Sequence, residues 1–226
     1  MPGLPARTAH RVLALGLAAG LLVLGLPQSI DTAMRLYAEA ELAAAASPEA
    51  SSAPPAERAI ALLDAADRWF DDPAARIEAG IAAFRRAAPP GRDMDPGGMR
   101  QAIGALRSGL SRRPADRWGW MYLAHAELAI GDTASALQAL RTAILVAPYD
   151  PDLSVWRTEL GLDLWPLLDA DDRRLVADQI QIAWTAKPRE VLALAKTSVA
   201  TAIIRLALAS SPPALEKFEA SLGPQR

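Results

Sequence analysis

The stretch RWGWMYLAHAELAIGDTASALQALRTAILVAPYD, residues 117–150, decides the architecture. Alanine, leucine and other strong helix formers fill Trp118 to Ile130 and again Thr133 to Val146. Between them Gly131-Asp132 is a helix stop and turn, and Pro148 ends the second helix. The unit is a helix, a tight turn and a second helix. Such a pair cannot bury its own apolar face, so neighbours of the same kind must stack on it.

Working outward, the same punctuation continues. Upstream, helices are expected over Asp31 to Ala46, Glu57 to Phe70, Ala74 to Ala87 and Met99 to Arg112. Ile60, Leu63, Ala66 and Phe70 form one stripe of the second of these. Ser47 to Pro55 reads as a linker, and Pro89-Pro90-Gly91 with Asp95-Pro96-Gly97-Gly98 as a long loop. Downstream, Leu153 to Leu168 is a helix interrupted by Pro166, and Ala170 to Thr185 is another. Arg189 to Ser210 reads as one long helix, apolar on more than one face, and Ser211-Pro212-Pro213 breaks it before a short tail. Nothing reads as a sheet.

Composition bounds the rest. The chain has 226 residues, 51% of them apolar and 5% aromatic, with a net charge of −2 that exerts no global pull on nucleic acid. The absence of cysteine excludes disulfides, thiol nucleophiles and thiolate metal sites. Val12 to Leu26 is 15 residues without a charge, preceded by Arg7 and Arg11 and followed by Asp31 as the first acid. At 1.5 Å per residue it spans about 22 Å, and its flanks bring it near the length that crosses a ~30 Å hydrocarbon core. Its basic side is expected to stay cytoplasmic, which places the remainder on the far side. The sequence around Gly25 offers only a weak cleavage site, so an uncleaved anchor is preferred to a cleaved signal.

Residues 117–150 resemble a tetratricopeptide repeat, a 34-residue helix-turn-helix. The resemblance rests on Trp120, Leu123 and Ala124 in the first helix, Gly131 and Asp132 at the turn, Ala136, Leu140 and Ala143 in the second, and Pro148 at its end. In that register Ala124, Ala136 and Ala143 let the helices approach, while Trp120, Leu123 and Leu140 fill the space between them. Glu127 departs from the family pattern, which has an aromatic there. Residues 157–188 keep the period in degenerate form. The expected fold is all-α: the apolar run gives a single N-terminal transmembrane helix, and the resemblance implies that an α-solenoid of about three helix pairs plus a capping helix follows it. The expected layout is a cytoplasmic N-terminus at 1–10, a signal anchor at 11–30, a stalk helix and linker at 31–56, the helical domain at 57–210 and a tail at 211–226.

The resemblance also implies a protein-binding groove, with Trp118, Met121 and His125 on its face. The arginines of residues 85–117, among them Arg85, Arg86, Arg100, Arg107, Arg112 and Arg113, are either a solvated face or a basic patch for an acidic partner, phospholipid heads or an anionic glycan. The acids at Asp71-Asp72 and at Asp169, Asp171 and Asp172 lie where helices begin or end and read as caps. His10 and His125 stand apart, and no phosphate loop, nucleophile elbow or zinc helix is present. No catalytic residue, metal, cofactor, small-molecule substrate or nucleic acid is expected. The expected role is a scaffold or assembly factor, anchored in a bacterial inner membrane with a periplasmic domain that binds proteins of an envelope complex. Polysaccharide synthesis and export is the pathway leaned toward. A permanent structural subunit, a cytochrome c maturation factor and a translocon-associated chaperone are the alternatives. Gly16 and Gly20 would suit close helix contact for a structural subunit.

Overall fold

Aspartates start the helices. Asp72, Asp95, Asp116, Asp132, Asp150 and Asp169 each accept a backbone N–H two or three residues on, from Ala74, Gly97, Gly119, Ser135, Asp152 and Asp172. Each cap contributes about 1 kcal/mol. Pro73, Pro96 and Pro151 follow three of them at the first helical position, where a missing N–H costs nothing. Gly131, at φ +85°, closes a helix: its N–H donates to Leu128 and that of Asp132 to Glu127, the paired bonds of a Schellman stop.

The computed structural model describes residues 29–41, 43, 54–70 and 72–222. They form helices α1 (29–41), α2 (Pro54–Phe70), α3 (Pro73–Ala87), α4 (Pro96–Arg112), α5 (Arg117–Ala129), α6 (Thr133–Val146), α7 (Pro151–Leu164), α8 (Ala170–Ala186), α9 (Pro188–Leu194), α10 (Ser198–Leu208) and α11 (Pro212–Leu222). A 3₁₀ turn at Trp165–Leu167 absorbs Pro166. No strand occurs among the described residues, and the all-α expectation holds for them.

Consecutive helices pair antiparallel. In α3/α4, Gly109 meets Pro73 and Ile77, Gly80 meets Leu106, and Gly98 meets Ala87. In α7/α8, Gly161 meets Val176 and Arg157 bonds Gln179. Helices α5 and α6 form the pair between them. The pairs stack in two layers, α3 on α5 and α5 on α7 in one, α6 on α8 in the other. One core runs through the stack from Ile77 to Phe218. A second cluster joins Ala38 of α1 to Ala59, Leu63 and Ala66 of α2 and to Ala75 and Ala79 of α3.

Three boundaries differ from the sequence reading. The segment read as a stalk is docked: Ala38 is 1% exposed, Arg35 pairs with Glu78 and Asp72 of α3, and Glu41 pairs with Arg58 of α2 at 3.0 Å. The long helix over 189–210 is two helices, because the Thr197 hydroxyl caps the N–H of Ala200 at 3.1 Å and starts α10 afresh. The tail at 211–226 contains α11, whose Phe218 is fully buried edge-on against Trp184 at 5.4 Å. Pro212 and Pro213 sit in its first turn, where proline is tolerated. Among the described residues no helix is long and apolar enough to cross a membrane. The apolar run Val12 to Leu26, residues 1–10, His10, Gly16, Gly20, Asp71 and most of the linker lie outside the described residues.

Candidate functional site

Helix α5 sets one stripe of side chains toward the layer formed with α3 and α7. Trp118, Tyr122 and His125 are spaced by four and three, which keeps them on one face. Trp156 of α7 meets all three. Its ring stacks on His125 at 4.3 Å and 21°, stands edge-on to Tyr122 at 4.8 Å, and tilts against Trp118 at 6.5 Å. Phe84 of α3 meets Tyr122 edge-on at 5.3 Å from the other side. Edge-to-face pairs of this kind add about 1 kcal/mol each beyond their buried area. Arg85 donates from Nε and Nη2 to the Tyr122 hydroxyl at 3.1 and 2.7 Å.

Trp118 and Tyr122 of this cluster wall a groove of about 310 Å³ between α1, α3 and α5. Ile77 and Ile81 line it, Arg35 and Glu78 stand on one side, and Arg85 and Trp118 on the other. Arg35, Glu78, Ile81 and Arg85 also line an adjoining depression that reaches Ala38 and Leu63, so the two are continuous. Trp118 keeps 38% of its surface exposed at the rim. Burial raises the Glu78 carboxyl, opposed by the Arg35 guanidinium bonded to it. Burial also lowers His125 to about 4, and its Nε2 has no hydrogen-bond partner. At neutral pH it is an uncharged ring stacked on Trp156.

Of the three residues expected on the groove face, Trp118 lines it, while His125 is stacked on Trp156 and neither it nor Met121 lines the groove. Met121 is fully buried in the core. It lies about 60° from the centre of the stripe, which turns it into the core, and Tyr122 takes the place expected for it. The four-residue step from Trp118 was the signal for Tyr122. Trp184 is buried, and Trp156 and Trp165 pack partly buried against the core.

The expected basic patch is dispersed by pairing. Arg112 meets Asp67, Arg107 meets Glu127 at 2.6 Å, and Arg113 meets Asp116 at 3.6 Å. Arg86 donates to Gln101 at 2.9 Å and Arg85 to Tyr122. Arg100 is exposed on α4. Glu127 is 1% exposed, and its burial raises its carboxyl while Arg107 opposes that.

The residues expected to pack the repeat differ in depth, Gly131 and Pro148 being exposed. Leu123, Ala124, Ala136, Leu140 and Ala143 are buried, and half-buried Trp120 donates from Nε1 to the Pro114 carbonyl at 2.8 Å. Exposed Pro148 follows α6, and its carbonyl accepts from Gln179. Asp72 and Asp169 cap helices as expected, Asp172 lies buried against Arg141, and Asp171 pairs with Arg174 at 3.2 Å on the surface. The bond from the Asp172 N–H holds Asp169 below the usual carboxylate range. Among the described residues no group of three or more His, Asp or Glu side chains is placed to hold a metal ion.

No model of a known protein family matches the chain, and no curated protein matches it significantly. The class that fold and site define is therefore structural: an all-helical protein of stacked antiparallel pairs with an aromatic groove along one layer.

Proposed function

We propose that this chain is a protein-binding scaffold of tetratricopeptide-like solenoid form, held to a bacterial inner membrane by the apolar run Val12 to Leu26, with the helical domain on the periplasmic side. One observation carries the binding part of this reading. Trp118 and Tyr122 give the groove an aromatic wall, Trp156 and His125 pack on one another beside them, and Arg85 and Trp118 are open at its rim. Aromatic residues and arginine are the side chains that concentrate binding energy at protein interfaces. Asp72, Glu78 and Asp116 beside the groove are engaged as helix caps or in ion pairs, which favours a binding module over an enzyme. The anchor part of the reading rests on the length and flanking charges of the apolar run. The partners in this reading are proteins of an envelope complex, and polysaccharide assembly is one pathway such a scaffold would serve.

Affinity capture from gently solubilised membranes tests it. The full chain is the bait, beside a Trp118→Ala/Arg85→Ala variant and a Leu145→Ala/Tyr149→Ala variant on the strongly exposed end of α6. A defined partner retained by the wild type and the α6 variant, and lost by the groove variant, is the expected result. Loss with the α6 variant alone moves the contact to the opposite layer. Equal recovery by all three baits overturns the groove assignment.

A further inference from the structure

Helix α1 is amphipathic in the wrong sense for a helix at the edge of a soluble domain. At 100° per residue, Asp31, Met34, Arg35 and Ala38 share the arc that faces α2 and α3. Arg35 is bonded there to Glu78 and Asp72, and Glu41, at the arc's margin, to Arg58. The opposite arc holds Ile30, Ala33, Leu36, Tyr37, Ala40 and Ala43 and carries no charge. It faces outward: Ile30 is 44% exposed, Leu36 61% and Tyr37 62%. Arg35 and Glu41 are paired with the protein, exposed Glu39 stands at the margin of the apolar arc, and the side that carries Ile30, Leu36 and Tyr37 faces outward.

What lies next in the chain identifies the partner. The apolar run ends at Leu26, four residues before Ile30. Four residues reach at most about 14 Å, so a run inserted in a bilayer holds the first turn of α1 at the membrane surface. The interfacial layer beside the hydrocarbon core is about 5–8 Å thick. A helix standing upright would lift Tyr37 out of it, since seven residues rise about 10 Å. A helix lying flat keeps Ile30, Leu36 and Tyr37 in it together, and tyrosine is favoured at that depth.

We infer that α1 lies in the membrane interface with its Ile30, Leu36 and Tyr37 face in lipid, so that the domain rests on the bilayer along its α1 edge. The inference rests on the anchor reading above. It makes α1 a fixed wall of the groove at the membrane surface, since Arg35 of the same helix lines that groove.

The chain has no cysteine, so single cysteines report without further change. The full chain is reconstituted in vesicles of phosphatidylethanolamine and phosphatidylglycerol as Ala19→Cys, Leu36→Cys, Tyr37→Cys and Leu145→Cys, each carrying an environment-sensitive fluorophore. The expected result is blue-shifted emission at 19, 36 and 37. Lipid-borne spin labels should quench these three, and iodide should reach them several-fold less readily than position 145. If 19 is in lipid while 36 and 37 are as open to iodide as 145, the inference falls and the anchor stands. If 19 is open to iodide as well, or the chain does not float with the vesicles, both fall. If 36 and 37 are shielded from iodide yet untouched by lipid-borne labels, and Leu36→Cys cross-links to a second chain, the face is a dimer contact and the inference is overturned.

Discussion

Arg157 is fully buried, and its ligands are carbonyls. Nη1 donates to Ala147 at 2.8 Å and to the Gln179 side chain at 3.0 Å, and Nη2 donates to Ala143 at 2.6 Å. Ala143 is in the last turn of α6 and Ala147 just beyond it, where carbonyls lack intrahelical partners and the helix dipole is negative. Burial lowers its pKa to about 10, which still leaves it charged at neutral pH. Arg157→Met strips three hydrogen bonds from buried acceptors and should cost about 3 kcal/mol in urea denaturation. Arg157→Lys should recover little, because an ammonium cannot reproduce the planar fork. His125 makes the complementary case. Its folded pKa of about 4 lies below the ordinary 6.5, so the unfolded chain takes up the proton first as pH falls. Its contribution is therefore complete above pH 6.5 and is lost progressively down to pH 4, by at most about 3 kcal/mol. Denaturation of the wild type and of His125→Gln across that window should show a steeper acid loss in the wild type. Parallel curves would place the residue in water.

At the scale of the helix, close approach is set by glycine only where a neighbour's backbone is near. A Cβ on Gly109 would stand 2.6 Å from Ile77 Cγ1 and 3.0 Å from both the Ile77 nitrogen and the Pro73 carbonyl, whereas one on Gly104 meets nothing within 4 Å. Both lie in α4. Gly109→Ala should therefore destabilise by about 2 kcal/mol through overpacking, and Gly104→Ala should stabilise by about 0.5–1 kcal/mol through helix propensity. Opposite shifts in thermal midpoint are the check. Helices were readable where one strong local signal acted alone. Thr133–Val146 falls where Asp132 and Pro148 put it, and Gly131 closes α5 as its position demanded. The division between α9 and α10 was hidden because a single threonine cap splits a segment apolar throughout. Helix α11 was hidden because two prolines that break one helix also start another. The docking of α1 depends on Arg35 reaching Glu78, 43 positions away, which no local pattern records. The aromatic cluster was half readable: the stripe from Trp118 to His125 follows from helical spacing, but Trp156, which packs on that stripe, comes from the next pair.

Across the whole molecule, arginine joins one helix pair to the next. Arg112 of α4 meets Asp67 of α2, Arg107 of α4 meets Glu127 of α5, Arg117 of α5 meets Asp150 at the start of α7, and Arg141 of α6 meets Asp169 and Asp172 of α8. The acids differ in depth. The side chains of Glu127, Asp150 and Asp172 are 1%, 8% and 4% exposed, whereas Glu78 near one end of the stack and Glu219 at the other are 31% and 42% exposed. Exposed pairs contribute at most about 1 kcal/mol, but a buried acid that loses its partner costs about 3–5 kcal/mol. The central junctions are thus harder to open than the ends, and a stack of this kind opens by neighbour-to-neighbour steps. Amide hydrogen exchange should be slowest in α5 to α8 and faster toward α1 and α11. Arg141→Ala moves the weak point inward by stranding Asp172. Protection should then fall from α7 through α11, while α3 to α5 exchange as in the wild type, because their junctions through Arg112 and Arg107 are untouched. Uniform loss from α2 to α11 would mean that the continuous core from Ile77 to Phe218 couples the pairs more strongly than any single junction separates them.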